Sequence, residues 1–211
     1  MMNKPRTLKA LRLLAAVIMV VAGSLRSFGI DDDPDVLDLN LDDNIATPAV
    51  PSKAKPYVRQ AMDQLRRMLI KNKLAAVASR DGEVVELSIP CDELFSPMST
   101  ELKASAFNIL RPVATIAREP LKYKILVAVH TDDTGDAQYA DSISAARANA
   151  IDDAIWQLVD EHETSVIPYG IGKDEPIGPN TSRKSRAANR RAEIFIVPEW
   201  GLIQMSGVKK K

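Results

Sequence analysis

KYKILVAVHTDDTGDAQYADSISAARA, residues 122–148, carries two different periodicities with an acidic break between them. Its first nine residues, to His130, are apolar enough for a central strand. From about Ala137 to Glu163 the pattern becomes helical. Tyr139, Ile143, Ala150, Ile151, Ala154 and Leu158 fall on one face at 3.6-residue spacing. Between strand and helix lie Thr131, Asp132, Asp133, Thr134, Gly135 and Asp136, with Gly135 supplying a turn that needs positive φ. Arg147 lies near the centre of the apolar face. A guanidinium keeps its proton, so there it needs an anionic partner or access to solvent. Spacing leaves two readings open, an internal ion pair or a site awaiting an anionic ligand.

Elements on either side extend the same alternation. Pro56 opens a helix that runs to about Lys73, with Ala61, Leu65, Met68 and Leu69 at helical spacing. GEVVELSIP reads as a strand from Glu83 to Ile89. Ser99 and Thr100 offer an N-cap for a helix through Leu102, Ala106, Ile109, Leu110 and Val113 to about Arg118. TSVIPYG (residues 164–170) is the next strand. KDEPIGPNTSRKS (173–185) is a loop leading into a short helical turn, and RRAEIFIVP (190–198) is the last strand, stopped by Pro198. The expected fold class is α/β, an α+β sandwich: a βαβαβ-type mixed sheet with helices packed on one side.

Charge is balanced at 28 basic and 28 acidic residues, which argues against a nucleic-acid partner. With 5% aromatic residues, base-stacking platforms are not expected either. Lys4, Arg6, Lys9 and Arg12 precede the apolar run Leu13–Gly23, which reads as an export signal over residues 1–29. The alternative is an uncleaved anchor, but that run is short for a membrane span of ~20 residues. Residues 30–55 hold seven aspartates and several prolines and read as an extended acidic linker. Residues 56–82 are then a helix and connection, 83–200 the domain, and 201–211 a basic tail. The single cysteine, Cys91, has no intrachain partner.

HTDDTGDAQYADSISAARANAIDDAI, followed by PYGIGKDEPIGPNTSRKSRAANRRAEI, closely resembles the OmpA-like peptidoglycan-binding domain family. The family pattern is G-H-T-D-x-x-G-x-x-x-Y-N-x-x-L-S-x-x-R-A, then G-x-G-x-x-x-P, then N-R-R-x-E-I, and it maps onto residues 83–197. The resemblance implies a domain that holds the meso-diaminopimelate side chain of the stem peptide without cleaving it. The aspartate of H-T-D and the arginine of L-S-x-x-R-A fall on Asp132 and Arg147, fifteen residues apart. A carboxylate suits the ligand's ammonium, and a guanidinium fork suits its α-carboxylate. The resemblance adds Thr131 as a polar contact, Phe95 from the family's F-D loop, and Asn189 and Arg190 from the Asn-Arg-Arg run. Four positions depart from the pattern: Ser96 replaces the aspartate of F-D, Val129 the glycine before H-T-D, Ala140 the asparagine after the tyrosine, and Ile143 the leucine of L-S.

The implied function is non-catalytic wall binding in the periplasm, associated with the outer membrane, with no cofactor. The alternative is an anchored scaffold or stator-like accessory protein whose acidic segment 31–43 docks an envelope partner. An enzyme is not expected: the two histidines, His130 and His162, belong to no metal or nucleophile motif. An ion-coupled stator would need a titratable carboxylate within its membrane helix, and Leu13–Gly23 holds none.

Overall fold

The computed structural model describes residues 39–160 and 163–210. The expected export signal, and the part of the acidic segment before residue 39, lie outside the described residues. The elements are α1 (Leu41–Ala46), α2 (Lys55–Lys71), β1 (Ala76–Ser79), β2 (Val84–Pro90), α3 (Cys91–Leu94), α4 (Ala106–Ala117), β3 (Tyr123–His130), α5 (Ala137–Leu158), β4 (Val166–Gly172), α6 (Arg183–Asn189), β5 (Arg191–Pro198) and α7 (Trp200–Gln204). The sheet runs β1-β2-β5-β3-β4. Only β3 and β4 are parallel, because the α5 crossover joins them; the remaining pairs are antiparallel.

Strand alternation decides the layering. Val85, Leu87 and Ile89 of β2, Ile125, Val127 and Val129 of β3, and Ala192, Ile194 and Ile196 of β5 face one way. They meet Leu65 and Leu69 of α2, Leu110 and Val113 of α4, and Ile151 and Ile155 of α5 in one core. The mixed sheet with its main helices on one face is the expected architecture. Truncating a fully buried member such as Leu110 costs about 2–5 kcal/mol.

Three expectations change. A fifth strand, β1, pairs with β2 through the tight turn Arg80–Gly82. Its four residues bury only Ala76, too short a signal for alternation, although Asp81-Gly82 is a hairpin pair. The helix expected from Ser99 begins instead at Ala106. The Ser99 hydroxyl accepts from the Glu101 amide at 3.0 Å and turns the chain locally. The tail after 200 is not free: α7 buries Leu202 and Ile203 in the core.

The largest change concerns residues 39–55, expected as linker. Here α1 lies on the opposite face of the sheet, where Leu41 and Ile45 pack on Leu126, Ala128, Phe195 and Val197. Helices therefore cover both faces, and Val50 and Ala54 join the main core. The reason lies in Lys124, on β3, which has no solvent exposure. Its Nζ donates to Asn44 Oδ1 at 2.8 Å and to the Thr47 carbonyl at 2.7 Å, with Glu199 Oε1 at 3.9 Å. Asn44 Nδ2 in turn donates to the Tyr169 hydroxyl at 2.6 Å, and that hydroxyl donates to the Leu39 carbonyl at 3.0 Å. A buried ammonium is tolerable only when its donors are met, so residues 39–47 are part of the fold. Asn44→Ala is expected to lower unfolding stability by about 1–3 kcal/mol in a denaturant titration, since it removes an acceptor from a buried charge.

Candidate functional site

The turn after β3 is set by the way α5 returns onto β4. Gly170 lies so close to α5 that an added Cβ would stand 2.5 Å from the Ala145 backbone nitrogen, so only glycine allows this contact. The β3–β4 register shifts between Val129 and His130, and the Thr131 amide donates to the Gly172 carbonyl at 2.7 Å. Ser144 of α5 accepts from the Gly172 amide at 3.0 Å. Gly135 adopts φ +92, and Asp136 caps α5 by accepting from the Tyr139 amide at 2.7 Å. Thr131 and Asp132 are thereby held at the strand end, over the first turns of α5.

Beside them opens a cavity of about 460 Å³. Thr131, Asp132, Thr134, Tyr139, Ala140, Ile143 and Arg147 form one wall. Asp92, Phe95, Pro97, Met98, Lys103 and Arg190 form the other. Five of the six residues expected at the site converge here: Asp132, Arg147, Thr131, Phe95 and Arg190. Asn189 does not. It is buried, and its side chain accepts from the Ile177 and Gly178 amides and donates to the Gly178 carbonyl and Asn180 Oδ1. Asn189 braces the 177–180 loop.

Asp132 is ion-paired within the protein. The cation on Asp132 is Arg190, whose Nη1 donates to Oδ2 at 2.6 Å while its Nη2 reaches Asp92 Oδ2 at 3.0 Å. The Thr134 amide donates to Asp132 Oδ1 at 2.9 Å. Burial pushes the Asp132 carboxyl up, but the bonds from Arg190 and Thr134 outweigh it and hold the carboxyl below its ordinary value. The bond that Arg190 donates to Asp92 raises its guanidinium above the ordinary value, against burial.

Arg147, 5% exposed, meets no carboxylate within ion-pair distance among the described residues. Its Nε donates to the Ser99 carbonyl at 2.9 Å, and its guanidinium carbon stands 5.0 Å from the centre of the Phe95 ring. The Thr131 hydroxyl is buried with no hydrogen-bond partner among the described residues. A cation, an unmet hydroxyl and a carboxylate with spare lone pairs line one cavity. That set matches a ligand carrying both an amine and a carboxylate.

Neighbouring polar groups have other work. His130 and Arg191 both bind Glu193, at 3.0 and 2.6 Å. Burial pushes the Glu193 carboxyl up, and these two bonds prevail and lower it. Burial also pushes the Cys91 thiol up to about 11, against the pull of Arg147. Asp92, Lys103 and Tyr139 are among the cavity residues that escaped the sequence reading. Asp92 and Lys103 reach the cavity through the fold of the 91–105 segment. Tyr139, expected in the core, is 42% exposed on the cavity wall.

An OmpA family model matches residues 94–190, just under half of the chain. Over those residues the chain is similar to the OmpA family. Among curated proteins, the chain is 32% identical over 121 residues to "Probable lipoprotein YiaD" of Escherichia coli, covering 57% of this chain and 54% of that one. It is 26% identical over 118 residues to "Outer membrane porin F" of Pseudomonas aeruginosa, covering 56% of this chain and 33% of that one. The chain therefore spans about half of the first of these relatives and a third of the second. Among solved structures, the cell wall anchor of the T6SS from Pseudomonas aeruginosa superposes with TM-score 0.54 at 27% identity, over 64% of this chain and 97% of that one. A putative MotB-like protein from Desulfovibrio vulgaris shares the fold at TM-score 0.59 and 24% identity, over 70% of this chain and 94% of that one.

Two measurements check this geometry. The stabilisation from the Asp132–Arg190 pair is fully present above the ordinary carboxyl value of 3.8 and disappears as pH falls through the lower folded value. The difference in unfolding free energy between wild type and Asp132→Asn is therefore constant near neutrality and closes on acidification below about pH 4. Cys91 should resist alkylation by iodoacetamide at pH 8 in the folded chain and react once the chain is unfolded, because its thiol ionises only near 11.

Proposed function

We propose that this chain is a non-catalytic peptidoglycan binder that grips the diaminopimelate of the stem peptide and tethers an envelope component to the sacculus. The observation that carries the reading is the joint presence of the Asp132 carboxylate and the buried Arg147 guanidinium on one cavity. The ligand's ammonium binds the free lone pairs of Asp132, and its α-carboxylate takes the terminal nitrogens of Arg147. The Thr131 hydroxyl completes the contact, and Phe95 holds the guanidinium in place. The likeness to a cell wall anchor supports the same reading. Binding places the chain in the periplasm, on the wall side of the outer membrane, delivered by residues 1–29.

In a sedimentation assay, the purified chain should pellet with diaminopimelate-containing sacculi. Asp132→Ala and Arg147→Ala should each weaken this at least tenfold, since each removes a hydrogen bond to a charged group worth about 1.5–3 kcal/mol. Circular dichroism should stay unchanged. Undiminished pelleting of both variants would overturn the site.

A further inference from the structure

We infer that the cavity is built for a ligand with two carboxylates and one ammonium, and that Lys103 reads the second carboxylate. The inference rests on the wall-binding reading and specifies which form of the stem peptide that site prefers.

Charge on the cavity walls leads to this. Two carboxylates, Asp92 and Asp132, face three cations, Lys103, Arg147 and Arg190. Arg190 is held between both carboxylates, at 3.0 and 2.6 Å. The other two cations meet no carboxylate within ion-pair distance among the described residues: Arg147 donates to the Ser99 carbonyl and Lys103 to the Asp92 carbonyl. An ammonium has three donors, so one backbone carbonyl leaves two of those on Lys103 to be met. Arg147 is buried and Lys103 half-buried on the same cavity.

A zwitterion with one amine and one carboxylate adds no net charge and leaves the site one cation in excess. A second carboxylate on the ligand removes that excess. Free diaminopimelate ends supply the first carboxylate and the amine. The second is the chain-terminal carboxylate of a stem that ends at diaminopimelate, and Lys103 is the cation left for it. Arg147 thus anchors the ligand, while Lys103 acts as a specificity-determining residue that distinguishes a trimmed stem from an extended or amidated one.

The test is calorimetric titration of the full chain with two peptides. Both end at diaminopimelate with its side-chain amine and carboxylate free; one has the chain-terminal carboxylate free and the other has it amidated. Wild type should bind the free form about threefold to tenfold more tightly, as a partly exposed ion pair allows, and the ratio should shrink as salt is raised. Lys103→Gln should bring the ratio to one while leaving affinity for the amidated peptide unchanged, which also shows that the variant is folded. Equal wild-type affinity for both peptides would overturn the inference and leave the wall-binding reading standing. A ratio that survives Lys103→Gln would overturn the role of Lys103. No binding of either peptide would overturn the wall-binding reading and this inference with it.

Discussion

A guanidinium that cannot lose its proton is buried at Arg147, in the middle of the α5 face that packs on the core, and the site is arranged around that constraint. Its Nε needs an acceptor, and the Ser99 carbonyl supplies one from a segment 48 residues away in sequence. That bond is possible because residues 99–105 are not helical. Had α4 begun at Ser99, its carbonyl would have been committed to the helix. The Phe95 ring lies against the same guanidinium, so α3 and the chain that follows are pinned to α5. Local sequence preference for a helix gives way here to a buried charge.

The cavity is consequently assembled from three stretches distant in the chain: 92–103, 131–147 and Arg190. Arg190 ties the first two together by bonding Asp92 and Asp132 at once. This bridge holds Asp132 ionised and oriented in the absence of ligand, and such preorganisation lowers the cost of binding. Ser96 stands where the family pattern has an aspartate, and Asp92, four positions earlier, supplies a carboxylate to the cavity. At Ala140 no polar group replaces the family's asparagine, and that position is an apolar part of the wall.

On the opposite face of the sheet, Lys124 organises residues 39–47 in a comparable way. An ammonium on a central strand attracted a covering segment rather than solvent, and that segment had the composition of a linker. Aspartate and proline density is a sound guide to chain that lacks apolar surface. It fails where a few residues, Leu41, Asn44, Ile45 and Val50, find a specific place on an already formed sheet.

Sequence alone determined the order and type of the main strands and helices, because alternation and 3.6-residue spacing are local consequences of backbone geometry. It also marked Arg147, whose charge is anomalous within an otherwise apolar helix face, while Asp132 and Thr131 were marked by the resemblance of the H-T-D stretch to a family pattern. Only tertiary structure decided that the partner of Asp132 is Arg190 and that Asn189 braces a loop. Only tertiary structure brought Asp92 and Lys103 to the cavity and folded residues 39–55 onto the domain. These are matters of which distant groups meet. Pairing of buried charges depends on distances across the fold, and no local periodicity encodes them.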